Sequence, residues 1–325
     1  GPRPQDFFAC NAPIKGLYEL GVEVEENSEL DLLVSYKEHA NDPRIEDVCK
    51  DMAAEMGEGH YYPDLLARMA QFELTLLDWA ENHKGSKKYV AFADKCWPAF
   101  PSQFGFEPCY VNSRLASRGI PVACEVDIYG ALSEYIGMCA SGDTVTLLDI
   151  NNSVPKYIYD EDITGKFNYK LTDTFMGFHC GNTPSCKMCS DRAVKYQLIQ
   201  HRLLEPAGSD PDFTRGTLEG DIAPSDITFY RLQCDSEGQL RAYIAQGEIL
   251  PVATRSFGGI AIFAIPEMGR FYRHVLIQKR YPHHGAVAFG HYGKTLFEVF
   301  KFLGIADIAY NQPTSLPYPT ENPFA

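Results

Sequence analysis

The chain has 325 residues, of which 45% are hydrophobic and 13% aromatic, and its formal net charge at pH 7 is −14. These values indicate a globular protein large enough for two domains. The negative charge argues against nucleic acid or an anionic membrane as the main partner. No apolar run reaches the roughly 18 residues of a transmembrane helix, and no secretory signal is recognisable.

The chain starts with Gly-Pro rather than Met, so we expect it to be part of a longer polypeptide. It contains ten cysteines, several of them inside apolar segments. Free cysteine is usually a small buried apolar residue, and disulfides are rare in the cytosol. The cysteines therefore favour reduced thiols in a cytoplasmic protein.

The first 142 residues alternate between helical and strand patterns. Residues 41–57 and 62–85 have the caps and spacing of amphipathic helices, and the apolar run 89–93 indicates a buried strand. Helical spacing over 100–118, a strand at 120–127, a helix at 128–140 and a strand at 143–152 follow. This alternation predicts βαβ units in a parallel, Rossmann-like sheet, whose ligands bind at the carboxyl ends of the strands.

The second part of the chain has a different pattern. A strand-like segment at 166–182 and a helical one at 190–205 precede a loop rich in Pro, Gly and Asp. Short strands separated by turns then predict an antiparallel sheet or barrel, followed by a late helix at 292–305 and a Pro-rich tail. The predicted fold is α/β. A parallel domain (1–142) is followed by a mainly antiparallel, barrel-like domain (143–325).

Two carboxylates follow neighbouring predicted strands. Glu125 and Asp149 each stand near the carboxyl end of a strand, with one helix between them. Adjacent parallel strands would bring these ends within roughly 5–10 Å. Their repulsion would be offset by a divalent cation, and oxygen ligands favour Mn²⁺ or Mg²⁺. Asp127 also points to this end, and we expect it to cap the following helix.

Two other groups could bind metal. His283 and His284 follow Pro282 and precede a short apolar strand. Either imidazole could complete a Glu/Asp/His set, although surface His pairs often have no function. Cys180, Cys186 and Cys189 contain a Cys-x2-Cys pair that suggests zinc. Because a second paired element is missing, we favour ordinary buried or loop thiols. The sequence contains no P-loop, Rossmann glycine motif or G-x-S-x-G elbow.

Five segments together resemble the L-fucose isomerase and L-arabinose isomerase superfamily. They are "CEVDIYGALSEYIG", "TVTLLDINN", "FMGFHCGNTPSC", "EGDIAPSDITFYRL" and "YPHHGAVAFG". The similarity runs to about residue 305 and corresponds to the family's middle and C-terminal domains. The N-terminal domain of the family is expected to be missing from this chain.

The resemblance implies an Mn²⁺-dependent aldose–ketose isomerase, with Mg²⁺ or Co²⁺ as alternative ions. By motif, the metal ligands would be Glu125, Asp149 and His284. His283 would line the sugar site. The segments that supply substrate contacts in relatives contain His179, Asn182, Lys95 and Trp97. In the arabinose branch another His binds the metal, and His179 could take that part.

The resemblance also implies a cis-enediol route, in which Glu125 or Asp149 moves a proton between C2 and C1 of a free monosaccharide. L-Fucose, D-arabinose, L-arabinose and modified aldoses all fit. A homo-oligomer is expected, because relatives form trimers to hexamers. Two alternatives stay open: a non-catalytic sugar-binding or regulatory module of the same fold, and a metal-dependent hydrolase.

Overall fold

The structure, a computed structural model, describes residues 5–10, 12–322 and 324. Its α-helices are α1 (Lys15–Glu19), α2 (Glu29–Glu38), α3 (Ile45–Met56), α4 (Leu66–His83), α5 (Phe100–Phe104), α6 (Cys109–Ser117), α7 (Ile128–Ser141), α8 (Lys156–Ile158), α9 (Leu198–Leu204), α10 (Met268–Phe271) and α11 (Gly293–Phe302). Short 3-10 helices cover Gln5–Cys10, His39–Asn41, Gly57–Gly59, Pro63–Leu65, Leu171–Asp173 and Ser185–Lys187. Tyr159–Ile163 and Tyr272–Ile277 are π-helical. Within the described ranges, no helix has the length and apolar character needed to cross a bilayer.

The strands form a closed barrel with additions at its edges. They are β1 (Phe92–Ala93), β2 (Val122–Ala123), β3 (Val145–Asn152), β4 (Thr174–His179), β5 (Ala193–Tyr196), β6 (Arg215–Asp221), β7 (Ser225–Cys234), β8 (Leu240–Ile249), β9 (Gly259–Ala264), β10 (His284–Phe289) and β11 (Asp307–Tyr310). Six of them close an antiparallel barrel in the order β8-β7-β10-β3-β4-β9, with β9 pairing back to β8. β6 and β11 join in parallel to β9 and β8. The predicted barrel is confirmed.

The parallel sheet is much smaller than predicted. It consists of β1 and β2, paired over two residues each. β3 does not belong to it, because β3 pairs antiparallel with β10 and β4 in the barrel. Placing β3 next to β2 in a parallel sheet was therefore wrong. An apolar run such as "TVTLLDI" fits any strand buried on both faces, so the pattern could not distinguish a parallel sheet from a barrel.

Most predicted helices form, with changed limits. α3, α4, α7 and α11 match the predicted segments, and α2, α4 and α6 pack in one core with Phe100 and Phe104 of α5. The predicted helix at 190–205 is shorter, because β5 occupies its first part and pairs with β6. The apolar run at 89–93 is a strand only at its end, and Tyr89 is exposed. The domain division after residue 142 stays a prediction.

Aromatic rings fill the barrel and fix the register of β10. The interior cluster draws on all six barrel strands and includes Phe175, Phe229, Tyr243 and Phe263. A Cβ at Gly285 would lie 2.1 Å from the Phe229 ring and 2.7 Å from the Tyr243 hydroxyl. Real Cβ atoms do not approach so closely, so the strand needs glycine at this position.

Helix α7 runs alongside the barrel and buries an acidic side chain. Asp127 is its N-cap, as predicted, and accepts a hydrogen bond from Gly130 N at 2.8 Å. Glu134 is 2% exposed, and its Oε2 atom has no hydrogen-bond partner. Burial, together with the charge of Asp127, raises the pKa of Glu134 to about 8.

The Glu134→Gln variant should change how stability depends on pH. Between the ordinary pKa of 4.5 and the folded value of about 8, the folded state holds a proton that the unfolded state has lost. Stability of the wild-type protein therefore falls as pH rises through this window, by up to about 1.4 kcal/mol per pH unit from this group. Glu134→Gln removes that slope.

Urea unfolding of both proteins between pH 5 and 8.5 measures the difference. The exposed Glu298 of α11 offers the control variant Glu298→Gln, which should leave the wild-type slope in place. Parallel stability curves for the wild type and Glu134→Gln would show that Glu134 does not hold its proton in this range.

Candidate functional site

Three neighbouring barrel strands bring together two histidines and an aspartate. Asp149 of β3 lies directly opposite His284 of β10, and His179 ends β4 on the other side of β3. His284 Nε2 is 3.0 Å from Asp149 Oδ1, and the rings of His179 and His284 are 5.6 Å apart. The side chains meet near the first residue of β10, beside the N-terminus of α7.

Glu125 reaches the same place from a strained turn between β2 and α7. Glu125 and Val126 both have positive φ, at 62° and 54°, a conformation that is especially unfavourable for a β-branched residue. Val126 N donates to Asp94 O, and Asp127 N donates to Cys124 O. Glu125 Oε2 lies 3.7 Å from His284 Nε2 and 3.5 Å from His283 Nε2. The strain supports a functional role for the turn.

A buried carboxylate fixes the orientation of His284. Asp127 Oδ2 lies 2.9 Å from His284 Nδ1, and both Asp127 oxygens accept hydrogen bonds from Arg231 at 2.8 Å. All three side chains are fully buried. Burial alone would raise the pKa of Asp127, but Arg231 and His284 lower it strongly. Burial lowers the pKa of His284, but its contacts with Asp127 and Asp149 outweigh burial and raise that pKa well above its usual value. Because the charged Asp127 accepts the Nδ1 proton, a cation that replaced the second proton would meet the Nε2 lone pair, which faces Asp149 and Glu125.

His179 has the opposite arrangement. Its Nδ1 accepts a hydrogen bond from the backbone N of Cys180 at 2.9 Å, so in the neutral ring the proton sits on Nε2. Burial, the largest influence, lowers the pKa of His179 and keeps the ring neutral. The two histidines therefore differ in what they offer the site. His284 offers a nitrogen whose proton a cation would replace, and the neutral His179 offers an N–H donor.

The donor set fits a hard divalent cation. Asp149 Oδ1 and His284 Nε2 are buried atoms without a hydrogen-bond partner, and their 3.0 Å contact lacks hydrogen-bond alignment. Glu125, His283 and His284 can place ligand atoms within 4.8 Å of one another, as can Asp149, His179 and His284. Two carboxylates and an imidazole match Mn²⁺ or Mg²⁺. The fit rests on Glu125, Asp149 and His284, the residues expected from the sequence.

The other predicted site residues separate into two groups. His283 Nε2 lies 3.8 Å from Asp149 Oδ1, and so belongs to the cluster. Asn182 Nδ2 donates to Val122 O, which leaves its buried Oδ1 without a partner, and Trp97 Nε1 is also buried without one. Lys95, in contrast, forms an ion pair with Glu29 and lines a cavity of about 550 Å³ beside α2 and α5. Glu29, its ion-pair partner, lies outside the carboxylate–histidine cluster.

Some features of the site were not anticipated from the sequence. Asp127 was expected only to point to this end of the sheet and cap α7, yet it also holds His284. Cys10 Sγ lies 3.3 Å from His284 Nδ1 and 3.7 Å from Glu125 Oε2. Arg231 gave a usable signal, because an arginine in a predicted buried strand needs a partner. Cys10, in "FFACN", gave none.

The Cys-x2-Cys segment does not gather into a metal cluster among the described residues. Cys186 is exposed, whereas Cys180 accepts a hydrogen bond from Gln197 Nε2. Neither joins Cys189 in a group with ligand spacing in the described part of the chain. The interpretation of these cysteines as ordinary thiols stays a prediction.

The chain is similar in sequence to proteins that are named as sugar isomerases. Residues 177–310 match the model of the L-fucose isomerase C-terminal domain. The sulfoquinovose isomerase of Priestia megaterium is 23% identical over 249 residues, which cover 76% of this chain and 49% of that protein. Those of Clostridium sp. (strain MSTE9) and Alkalicoccus urumqiensis are 26% and 27% identical over 54% and 60% of this chain. The chain spans between a third and a half of these relatives.

The Asp127→Asn variant should be markedly less stable. Asparagine keeps the N-cap oxygen for Gly130 but leaves the fully buried Arg231 without a counter-charge, at a cost of about 3–5 kcal/mol. The double variant Asp127→Asn/Arg231→Met removes both charges and should recover most of this loss. Urea unfolding measures both values. A loss below 1 kcal/mol in the single variant would contradict the role of this ion pair.

Proposed function

We propose that the chain is a member of the L-fucose isomerase-like superfamily and a metal-dependent aldose–ketose isomerase acting on a free monosaccharide. The observation that carries the proposal is the approach of Glu125 and Asp149 to His284 Nε2, at 3.7 and 3.0 Å. Asp149 Oδ1 and His284 Nε2 are buried and lack hydrogen-bond partners. We assign Mn²⁺ to this set, and we extend the proposal to a cytoplasmic homo-oligomer.

The ion would be held by Glu125, Asp149 and His284 Nε2. When bound, it would act as a Lewis acid that polarises the sugar carbonyl and acidifies the neighbouring C–H. The role of Asp127 is to hold the His284 ring in the required tautomer. Because Asp127 and Arg231 are fully buried and mutually neutralised, this orientation does not depend on solvent or salt.

The two carboxylates are ionised and can move the proton. Burial favours the neutral form of each, but nearby histidines outweigh this effect and lower the pKa of both Glu125 and Asp149. An ionised carboxylate takes the proton from C2 of the aldose and returns it to C1, while the hydroxyl proton passes from O2 to O1. The product is the ketose, and the cis-enediol is the species between the two transfers.

His179 is assigned to the sugar rather than to the metal. Its Nε2–H is buried, has no protein partner and faces the Asp149–His284 group. A ring that already uses Nδ1 to accept from Cys180 N has no second lone pair for an ion. It can donate a hydrogen bond to a sugar oxygen on which negative charge develops. Asn182 Oδ1 and Trp97 Nε1 offer an acceptor and a donor for further hydroxyls.

A non-catalytic sugar-binding module of the same fold is the second candidate. The same donors and acceptors can hold a cation and a sugar without a proton transfer. Incubation with Mn²⁺ and a panel of aldoses separates the two. The panel contains L-fucose, D-arabinose and L-arabinose, and also sulfoquinovose, because the curated relatives are named for it. Ketose formation supports the isomerase, whereas thermal stabilisation by a sugar without turnover supports the binding module.

Glu125→Gln and Asp149→Asn should each abolish turnover and weaken Mn²⁺ binding at least tenfold. Each change removes an ionised oxygen that serves as both ligand and proton acceptor, without altering side-chain size. Ketose formation and calorimetric Mn²⁺ titration measure the two effects. The exposed-residue variant Glu298→Gln is the matched control and should behave as wild type. Near wild-type turnover by Glu125→Gln would contradict the assignment.

His179→Phe should separate hydrogen-bond donation from metal binding. Phenylalanine keeps the ring but loses the donor, so kcat/KM should fall about 10²–10³-fold while Mn²⁺ affinity changes less than threefold. His179→Gln, whose amide N–H reaches a similar position, should retain more activity. If His179 were a metal ligand, both variants would lose Mn²⁺ affinity about 10–100-fold. The exposed His291 provides the control His291→Gln.

A further inference from the structure

A second group of potential metal ligands lies behind the Glu125 turn. Asp94 and Cys96 follow β1, and Cys124 follows β2, its parallel neighbour. Ligand atoms of these three residues lie within 4.8 Å of one another. Both thiols are buried, Cys96 at 8% and Cys124 at 1% exposure. The proposed isomerase mechanism uses none of these side chains.

The spacing of the two sulfurs suits a tetrahedral ion. Cys96 Sγ and Cys124 Sγ are 3.7 Å apart. With metal–sulfur bonds of about 2.3 Å, two thiolates of a tetrahedral zinc site are separated by about 3.8 Å. A disulfide would require about 2.05 Å. The pair is therefore spaced as one edge of a thiolate–metal tetrahedron.

Two carboxylates in this region have buried oxygens that lack hydrogen-bond partners. Asp94 Oδ2 accepts a hydrogen bond from Asn112 Nδ2 at 2.7 Å, but its buried Oδ1 has no partner. Glu107 is fully buried, and neither of its oxygens has a hydrogen-bond partner. Glu107 interacts electrostatically with both Asp94 and Cys96. Unpaired buried carboxylates are costly, and a bound cation would offset that cost.

We propose that Asp94, Cys96 and Cys124 form a second metal site, for a thiophilic divalent cation of the zinc class. Two sulfurs and a carboxylate differ from the oxygen and imidazole set of Glu125, Asp149 and His284, so the two sites select different ions. Because Cys124 precedes Glu125, an ion held there also fixes the turn that presents Glu125. The evidence for this site does not rest on the proposed isomerase activity.

Cadmium titration tests the proposal, because Cd²⁺–thiolate bonds absorb in the ultraviolet. The reduced, metal-free protein is titrated with Cd²⁺ in the presence of Mn²⁺. We expect a charge-transfer band that saturates near one equivalent. The band should fall by half or more in Cys96→Ser and in Cys124→Ser. It should persist in Cys10→Ser, which removes the thiol beside Glu125, and in Cys139→Ser, which removes an exposed thiol.

A second variant keeps both thiols. Asp94→Asn should retain the band but weaken Cd²⁺ affinity at least tenfold, because one anionic ligand is lost. Circular dichroism is used to check that every variant is folded. The proposal is overturned if Cys10→Ser abolishes the band, if folded Cys96→Ser and Cys124→Ser both keep it fully, or if Asp94→Asn binds Cd²⁺ as tightly as wild type. Loss of isomerase activity in Glu125→Gln with the Cd²⁺ band intact would show the two sites to be separate.

Discussion

The buried contact between Asp127 and His284 is the interaction on which the site depends. Asp127 begins α7, His284 begins β10, and Arg231 joins them from β7. One carboxylate thus ties the helix start to two barrel strands and selects the tautomer of a proposed metal ligand. Burying a charged group costs free energy, so Asp127 is stable here only because Arg231 and His284 both bind it. Helix position and imidazole chemistry are therefore fixed by the same contact.

The proposed site uses histidine in two ways. His284 donates through Nδ1 to a carboxylate, whereas His179 accepts through Nδ1 from a backbone amide. The difference comes from the hydrogen-bond partner of Nδ1, which is an acceptor for His284 and a donor for His179. It assigns the metal to one ring and a sugar oxygen to the other, although both are buried and less than 6 Å apart. Residue identity alone could not separate these roles.

The sequence predicted the barrel strands and the principal helices well, because their hydrophobic periods are strong and their ends carry caps. It placed β3 in the wrong sheet, since an apolar run does not reveal its neighbours. Glu125, Asp149 and His284 were selected by motif, and the structure brings them together by another route, from an antiparallel pair and a strained turn. Cys10 was missed because long-range pairing of buried groups leaves little trace in local sequence. Arg231 was missed although an arginine in a buried strand signals a buried partner.

Gly285 has a consequence for the fidelity of folding. The side chain opposite Asp149 is chosen by strand register, and a slip of one residue would exchange His284 for His283. Such a slip would also press a side chain into the space between Phe229 and Tyr243, where only glycine fits. Packing around Gly285 on one face of β10 therefore allows only the register that places His284 opposite Asp149 on the other face. A chain with the wrong register would be destabilised by this clash. Folded chains would therefore have the proposed metal ligands in place without needing an ion to select the register.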